Sequence, residues 1–191
     1  MQNILARRHA LTAIAASALA LALAGCGGGS SDAPPPITRV VALGDSNIDN
    51  GNLLRMSGGA FPAPPNWQGR NSNGPNVVEY LSKALNATLD DHAVSGATSG
   101  EGNVVPDNLV PGLVLSHTGV SAQVAGLEKS PGTRFGSGDL VVLWAGSNDI
   151  YGVQRADTAT LNRRIAAAAA NIESAITRLN ALGAKRFLVA N

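Results

Sequence analysis

The sequence predicts an α/β fold with a mostly parallel sheet covered by helices on both faces. Three observations carry that prediction. Short apolar runs rich in β-branched residues recur at 37–43, 140–145 and 187–190. Segments with apolar residues at helical spacing alternate with them, at 75–85 and 158–182. Glycine- and proline-rich stretches punctuate the rest. Strands apolar on both faces belong in parallel sheets, and strands alternating with helices build such sheets. No internal repeat is present.

The first 25 residues read as a leader rather than as part of the fold. Arg7 and Arg8 precede an alanine-rich apolar run, 11–23, that is short for a membrane span. It ends in Leu23-Ala24-Gly25-Cys26. That sequence resembles the lipobox of bacterial lipoproteins, which implies lipidation of Cys26, the single cysteine of the chain. The alternative is an ordinary secretory signal cut near Ala24, with Cys26 incidental. Residues 26–36 are rich in glycine, serine and proline and read as a tether. The expected organisation is therefore a signal peptide at 1–25, an anchor and tether at 26–36, and one domain at 37–191. Loss of the leader removes Arg7 and Arg8 and turns the formal charge from +1 to −1, since 14 Lys+Arg less two face 13 Asp+Glu. No basic run appears, so nucleic acid is not an expected partner. Without a cysteine, the domain can form no disulfide and no cysteine-based zinc site.

The domain's elements follow in order. Residues 37–43 form a buried strand ended by Gly44. Residues 75–85 form a helix, with Pro75 near its first turn and Val77, Val78, Leu81 and Leu85 as its apolar positions. A second strand is expected at 89–94, then a long surface loop over 95–118. Residues 140–145 (LVVLWA) are the strongest strand. Residues 158–182 are the clearest helix, with Ile165, Ile172, Ile176 and Leu179 on one face and Gly183 as the C-cap. The fourth strand is 187–190.

Chemistry is concentrated where strands end. A serine immediately after a strand lies at the carboxyl edge of a parallel sheet, where open α/β folds place ligands. Ser46 holds that position, in Gly44-Asp45-Ser46-Asn47-Ile48-Asp49-Asn50-Gly51-Asn52. Gly146-Ser147-Asn148-Asp149 follows the strongest strand in the same way, and Val94-Ser95-Gly96-Ala97-Thr98 lies between the two. No Gly-x-Ser-x-Gly is present, which argues against the ordinary α/β-hydrolase elbow.

Together these runs resemble three of the four signature blocks of the SGNH/GDSL hydrolases, serine esterases and lipases, and more closely the lipase and phospholipase-like branch. The resemblance covers 37–191, about half to two-thirds of an ordinary member. It implies a three-layer, flavodoxin-like α/β/α sandwich that lacks its C-terminal strand and helices here. It implies that Ser46 is the nucleophile and an oxyanion N–H donor. Gly96 would supply a second N–H, and the Asn148 side chain a third donor. Asp45, Asp49 and Asp149 would support these loops. For Asp45, a turn-forming and a catalytic role both stand. Ser147 reads as a turn residue and Trp144 as core. The run from Gln68 to Pro75 also resembles a family segment and is expected to shape a loop near the cleft.

The fourth block, Asp-x-x-His, does not occur in the sequence, and the resemblance places it beyond Asn191. Serine needs a histidine base with an orienting partner. His9 leaves with the leader, and neither His92 nor His117 stands in that context. The histidines have no metal-ligand spacing, and no cofactor is expected.

The expected function is hydrolysis of carboxylic esters through an acyl-enzyme on Ser46. One alternative is an inactive lipoprotein, or remnant, binding acyl or glycan groups. Another is a carbohydrate acetylesterase of the same superfamily. Expected partners are a small-molecule or lipid ester and, through Cys26, a membrane. The expected location is the outer membrane or periplasmic face of a bacterium, or secretion.

Overall fold

β1 (Arg39–Gly44) runs through the middle of a four-stranded sheet whose order is β2-β1-β3-β4. The other strands are β2 (Thr88–Asp91), β3 (Asp139–Trp144) and β4 (Phe187–Ala190). Every pairing is parallel. The computed structural model describes residues 34–151, 153 and 157–190. The leader, Cys26 and most of the tether lie outside the described residues. The register sets Arg39 beside Asp139 and Gly44 beside Trp144, so β1 and β3 end level. The loops carrying Ser46 and Asn148 therefore leave the same sheet edge side by side.

Alternation along these strands explains the two covered faces. Val41, Leu43, Val141 and Leu143 point to one side and pack against α3 (Val120–Lys129) and α5 (Thr158–Ala181). Val40, Ala42 and Val142 point to the other and meet Val78 and Leu81 of α2 (Val77–Ala84). Each valine or leucine among them that is fully withdrawn from water contributes about 1.5–3 kcal/mol before entropy is counted. α2 opens with a capping box. Asn76 Oδ1 accepts from Glu79 N (3.2 Å), and Glu79 Oε2 accepts from Asn76 N (2.8 Å).

The expected fold class is the observed one, and several details change. β1 starts two residues later than the apolar run and includes Gly44. β2 begins at Thr88 and ends at Asp91, because beyond it the chain turns to feed the Ser95 loop. α2 is shorter than 75–85, and Val77 and Leu85 lie outward at 48% and 37% exposure. On α5, Ile165 is half exposed. The buried stripe runs through Ala168, Ala175 and Leu179, because close approach to the sheet favours small residues there. Gly183 follows the helix at φ +106, as a C-terminal glycine should. β4 lies at one outer edge of the described sheet, with Leu188 and Val189 half exposed.

Three helices were not legible in the sequence: α1 (Asn52–Met56), α3 and α4 (Ser147–Ile150). The 95–118 stretch is the expected loop, exposed along most of 101–117, but it is anchored by buried residues. Ser95, Gly96, Ala97, Ser99, Leu113 and Leu115 are buried within it. Leu113 and Leu115 form a third apolar cluster with Leu53 and Val94. The segment has few regular hydrogen bonds but finds internal partners, such as Asp107 Oδ1, which accepts from Leu115 N and Ser116 N.

Candidate active site

Gly44 closes β1 because nothing larger fits. A Cβ there would collide with the Trp144 carbonyl of the neighbouring strand. Its peptide groups are held by Gln123 of α3, whose Oε1 accepts from Gly44 N (2.9 Å) and whose Nε2 donates to Gly44 O (2.9 Å). The other Nε2 proton goes to Thr118 O (2.8 Å). Gln123 is buried and every polar atom of its amide is used. This residue fixes where the Ser46 turn begins. It sits on a helix the sequence did not announce.

Asp45 is fully buried. Its Oδ1 accepts from Asn47 N (3.0 Å) and Asn47 Nδ2 (2.7 Å), making an Asx turn around Ser46. Its Oδ2 accepts from Ser147 Oγ (3.1 Å), which ties the Ser46 turn to α4. Burial pushes the Asp45 carboxyl up from its ordinary value, against the pull of the Asn47 donors.

Asp49 is also fully buried and gathers five donors. Oδ1 accepts from Gly51 N (2.8 Å) and Asn52 N (2.6 Å), so Asp49 caps α1 from outside the helix. Oδ2 accepts from Leu53 N (3.2 Å), Ser95 N (2.8 Å) and Ser95 Oγ (2.7 Å). Ser95 Oγ in turn accepts from Asn71 Nδ2 (2.6 Å), which brings the 68–75 segment to the cleft. That segment is moored to α2 by the Arg70–Glu79 ion pair at 2.5 Å.

The residue after Ser95 is Gly96, at φ +84, where a Cβ would strike Asn103 Oδ1. Asn103 braces this turn by donating to Ser95 O (2.9 Å) and Thr118 Oγ1 (2.9 Å) and accepting from Val105 N (2.8 Å). Like Gln123, it went unnoticed in the sequence, because a lone loop asparagine carries no pattern. Asn148 donates one Nδ2 proton to Ala97 O (2.9 Å). Asp149 accepts from Ser99 N (2.8 Å) and Ser99 Oγ (2.6 Å), and Asn171 of α5 donates to that hydroxyl (3.0 Å).

Ser46, Gly96 and Asn148 line one cavity of about 420 Å³. Leu53, Phe61 and Leu109 make its wall largely apolar, and Asn71 reaches it too. Among the described residues, the Ser46 and Gly96 N–H groups have no intramolecular acceptor, and the second Asn148 amide proton has none either. Neither histidine lines this cavity. His92 follows β2, with Nε2 3.0 Å from Asp90 Oδ1 but without hydrogen-bond alignment. His117 is exposed beside Glu101. Among the described residues no cluster of His, Cys, Asp or Glu could hold a metal ion.

A parallel sheet that gathers a serine, a positive-φ glycine and an asparagine at its carboxyl edge defines an α/β protein with one cleft built across three loops. The chain belongs to the GDSL-like lipase/acylhydrolase family, whose model matches residues 40–191. It is 35% identical over 164 residues to the thermolabile hemolysin of Vibrio parahaemolyticus, covering 84% of this chain and 35% of that protein. It is 31% identical over 166 residues to the phosphatidylcholine-sterol acyltransferase of Aeromonas hydrophila, covering 85% of this chain and 46% of the relative. The chain thus spans between about a third and a half of these relatives' lengths.

Proposed function

We propose that this chain carries the serine and the oxyanion donors of a carboxylic ester hydrolase. Ser46 Oγ attacks the ester carbonyl carbon, and the alcohol leaves with a proton. Water then releases the acid from the acyl-serine. The N–H groups of Ser46 and Gly96 and the free Asn148 amide proton stabilise the negative charge on the carbonyl oxygen. The observation that supports this reading is the convergence of Ser46, Gly96 and Asn148 on one cavity, from loops about a hundred residues apart. The apolar wall suits an acyl chain. The names of the two relatives favour a lipid ester over an acetylated sugar. The general base and its orienting acid belong to an Asp-x-x-His block that the given sequence does not contain. Export and lipidation at Cys26 complete the proposal and would place the site at a membrane surface.

The positions of His92 and His117, both off the cavity, favour a second reading for the chain by itself: acyl binding without turnover. Hydrolysis of p-nitrophenyl butyrate by the chain and by Ser46→Ala decides between them. Serine-dependent turnover at ordinary esterase rates supports the hydrolase. Rates equal in the two proteins support binding alone, since a triad without its base retains only about 10³–10⁴-fold over water.

A further inference from the structure

We propose that Asn73 is a self-modification site: Gly74 N attacks the Asn73 side chain, and the isoaspartyl link that results loosens the segment moored at the edge of the cleft. The proposal does not depend on the hydrolase reading.

The chain contains two Asn-Gly pairs, Asn50-Gly51 and Asn73-Gly74. A glycine after asparagine leaves the next amide nitrogen unshielded, so that nitrogen can reach the asparagine Cγ and close a five-membered ring. At Asn73 the Gly74 N–Cγ bond forms and the Cγ–Nδ2 bond breaks. The Gly74 amide proton passes through solvent to the departing nitrogen, which leaves as ammonia. Water then opens the ring at one of its two carbonyls. One opening gives aspartate. The other carries the main chain through the side-chain carbon and gives isoaspartate.

The fold treats the two pairs differently. Gly51 is buried, and its N–H donates to Asp49 Oδ1 (2.8 Å). Asn50 N is held by Asp91 Oδ2 (2.9 Å). A carboxylate facing the Gly51 nitrogen opposes the negative charge that develops there as the proton leaves. Ring closure at Asn50 would also undo the cap that Asp49 places on α1. Asn73 is exposed, and its side chain has no hydrogen-bond partner among the described residues. Gly74 N has no intramolecular acceptor among them either, and a Cβ at Gly74 would meet nothing within 4 Å. Ser72 Oγ donates to Gly74 O (2.6 Å), which leaves the nitrogen free.

The consequence follows from the two anchors on either side. Asn71 donates to Ser95 Oγ beside the cleft, and Asn76 caps α2. An isoaspartyl link at 73 adds a carbon to the main chain between them. The lengthened span no longer matches both anchors, so the mooring of Asn71 at the cleft slackens.

The test incubates the full chain at mildly alkaline pH, folded and in urea, and follows tryptic peptides by mass spectrometry. Residues 71–83 and 40–55 fall in separate peptides, each bounded by Arg or Lys. In the folded chain 71–83 should convert from amide to acid, with isoaspartate located at 73. Asn50 reacts only through local opening, so 40–55 should convert at least about tenfold more slowly. In urea the two rates should converge, which ties the difference to the fold. No conversion at Asn73 in the folded chain overturns the proposal, as does equal conversion of the two pairs there. Asn73→Gln, incubated alongside, should keep 71–83 free of isoaspartate. Hydrogen exchange across 68–76 should be faster in the aged chain than in aged Asn73→Gln. Equal exchange overturns the claim that the link loosens the segment.

Discussion

Ser46 is left free because its neighbours are not. Asp45, Asp49, Ser95, Asn103 and Asp149 spend their hydrogen-bonding capacity on backbone and side-chain donors and acceptors around the cleft. A reacting group is held to useful precision only when the residues behind it are locked. Asp49 is the hub, since its two oxygens join the Ser46 turn, α1 and the Gly96 loop. Asp49→Asn replaces one oxygen with an amide that must face N–H groups, so at least two buried donors lose their acceptor. Urea unfolding should show a loss of about 2–4 kcal/mol. The single residues of this site divide by legibility. Ser46, Gly96, Asn148 and the three aspartates stand in contiguous runs with a strand before them, and those runs were readable. Gln123 and Asn103 act through the fold, on backbone groups 79 and 8 residues away, and no local pattern marks them.

Among the elements, α3 shows why some helices were hidden. It begins at a glycine with no side-chain cap and carries Gly126 in its interior. Neither local propensity nor capping announces it. Tertiary packing forms it instead, through Val120, Val124 and Leu127 against β1 and α5. The long helix α5 and the strands β1 and β3 were legible because period and composition agree with their burial. Ile165 was misassigned because apolar spacing alone cannot say which of two neighbouring stripes meets the sheet. α3 also delivers Gln123 to the end of β1, so its contribution is positional as well as hydrophobic. Gln123→Leu leaves the Gly44 N–H and the Thr118 carbonyl without partners, while Gly44 O keeps only its bond from Val94 N. We expect about 2–4 kcal/mol of destabilisation in urea unfolding. A change under about 0.5 kcal/mol, the scale of an ordinary surface substitution, would show that the clasp is dispensable.

At the scale of the whole molecule, the carboxyl edge of the sheet collects buried acids, and this sets the pH dependence of folding. Asp91 ends β2, and its carboxylate accepts from Asn50 N (2.9 Å) and Ala93 N (2.9 Å). Burial pushes it up to about 7, against those two donors and with the nearby Asp49 charge adding to the rise. Asp45 is raised in the same direction, again chiefly by burial. Asp139 moves the other way, because the Arg39 hydrogen bond favours its charged form more than burial opposes it. The signs then follow from linkage. Below the ordinary value of 3.8, Asp91 is protonated in both folded and unfolded chains and contributes nothing. Between 3.8 and about 7 the folded chain keeps a proton that the unfolded chain has released, so stability falls as pH rises. Above about 7 that loss is complete. Asp139 stabilises above its ordinary 3.8, and that contribution disappears as pH falls below it. Stability should therefore peak on the acid side of neutrality. Between about pH 5 and pH 8 the thermal midpoint should drop by about 4–8 °C, for a loss on the order of 2 kcal/mol in a domain of this size. Asp91→Asn offers one acceptor oxygen where the carboxylate offers two, so it should lower the curve at every pH. The slope carries the test, because the variant cannot titrate at this position. A slope as steep in Asp91→Asn as in the unmodified chain would place the titrating group elsewhere. A flatter one would mean that anchoring the Ser46 turn to β2 through a buried carboxyl costs stability at neutral pH.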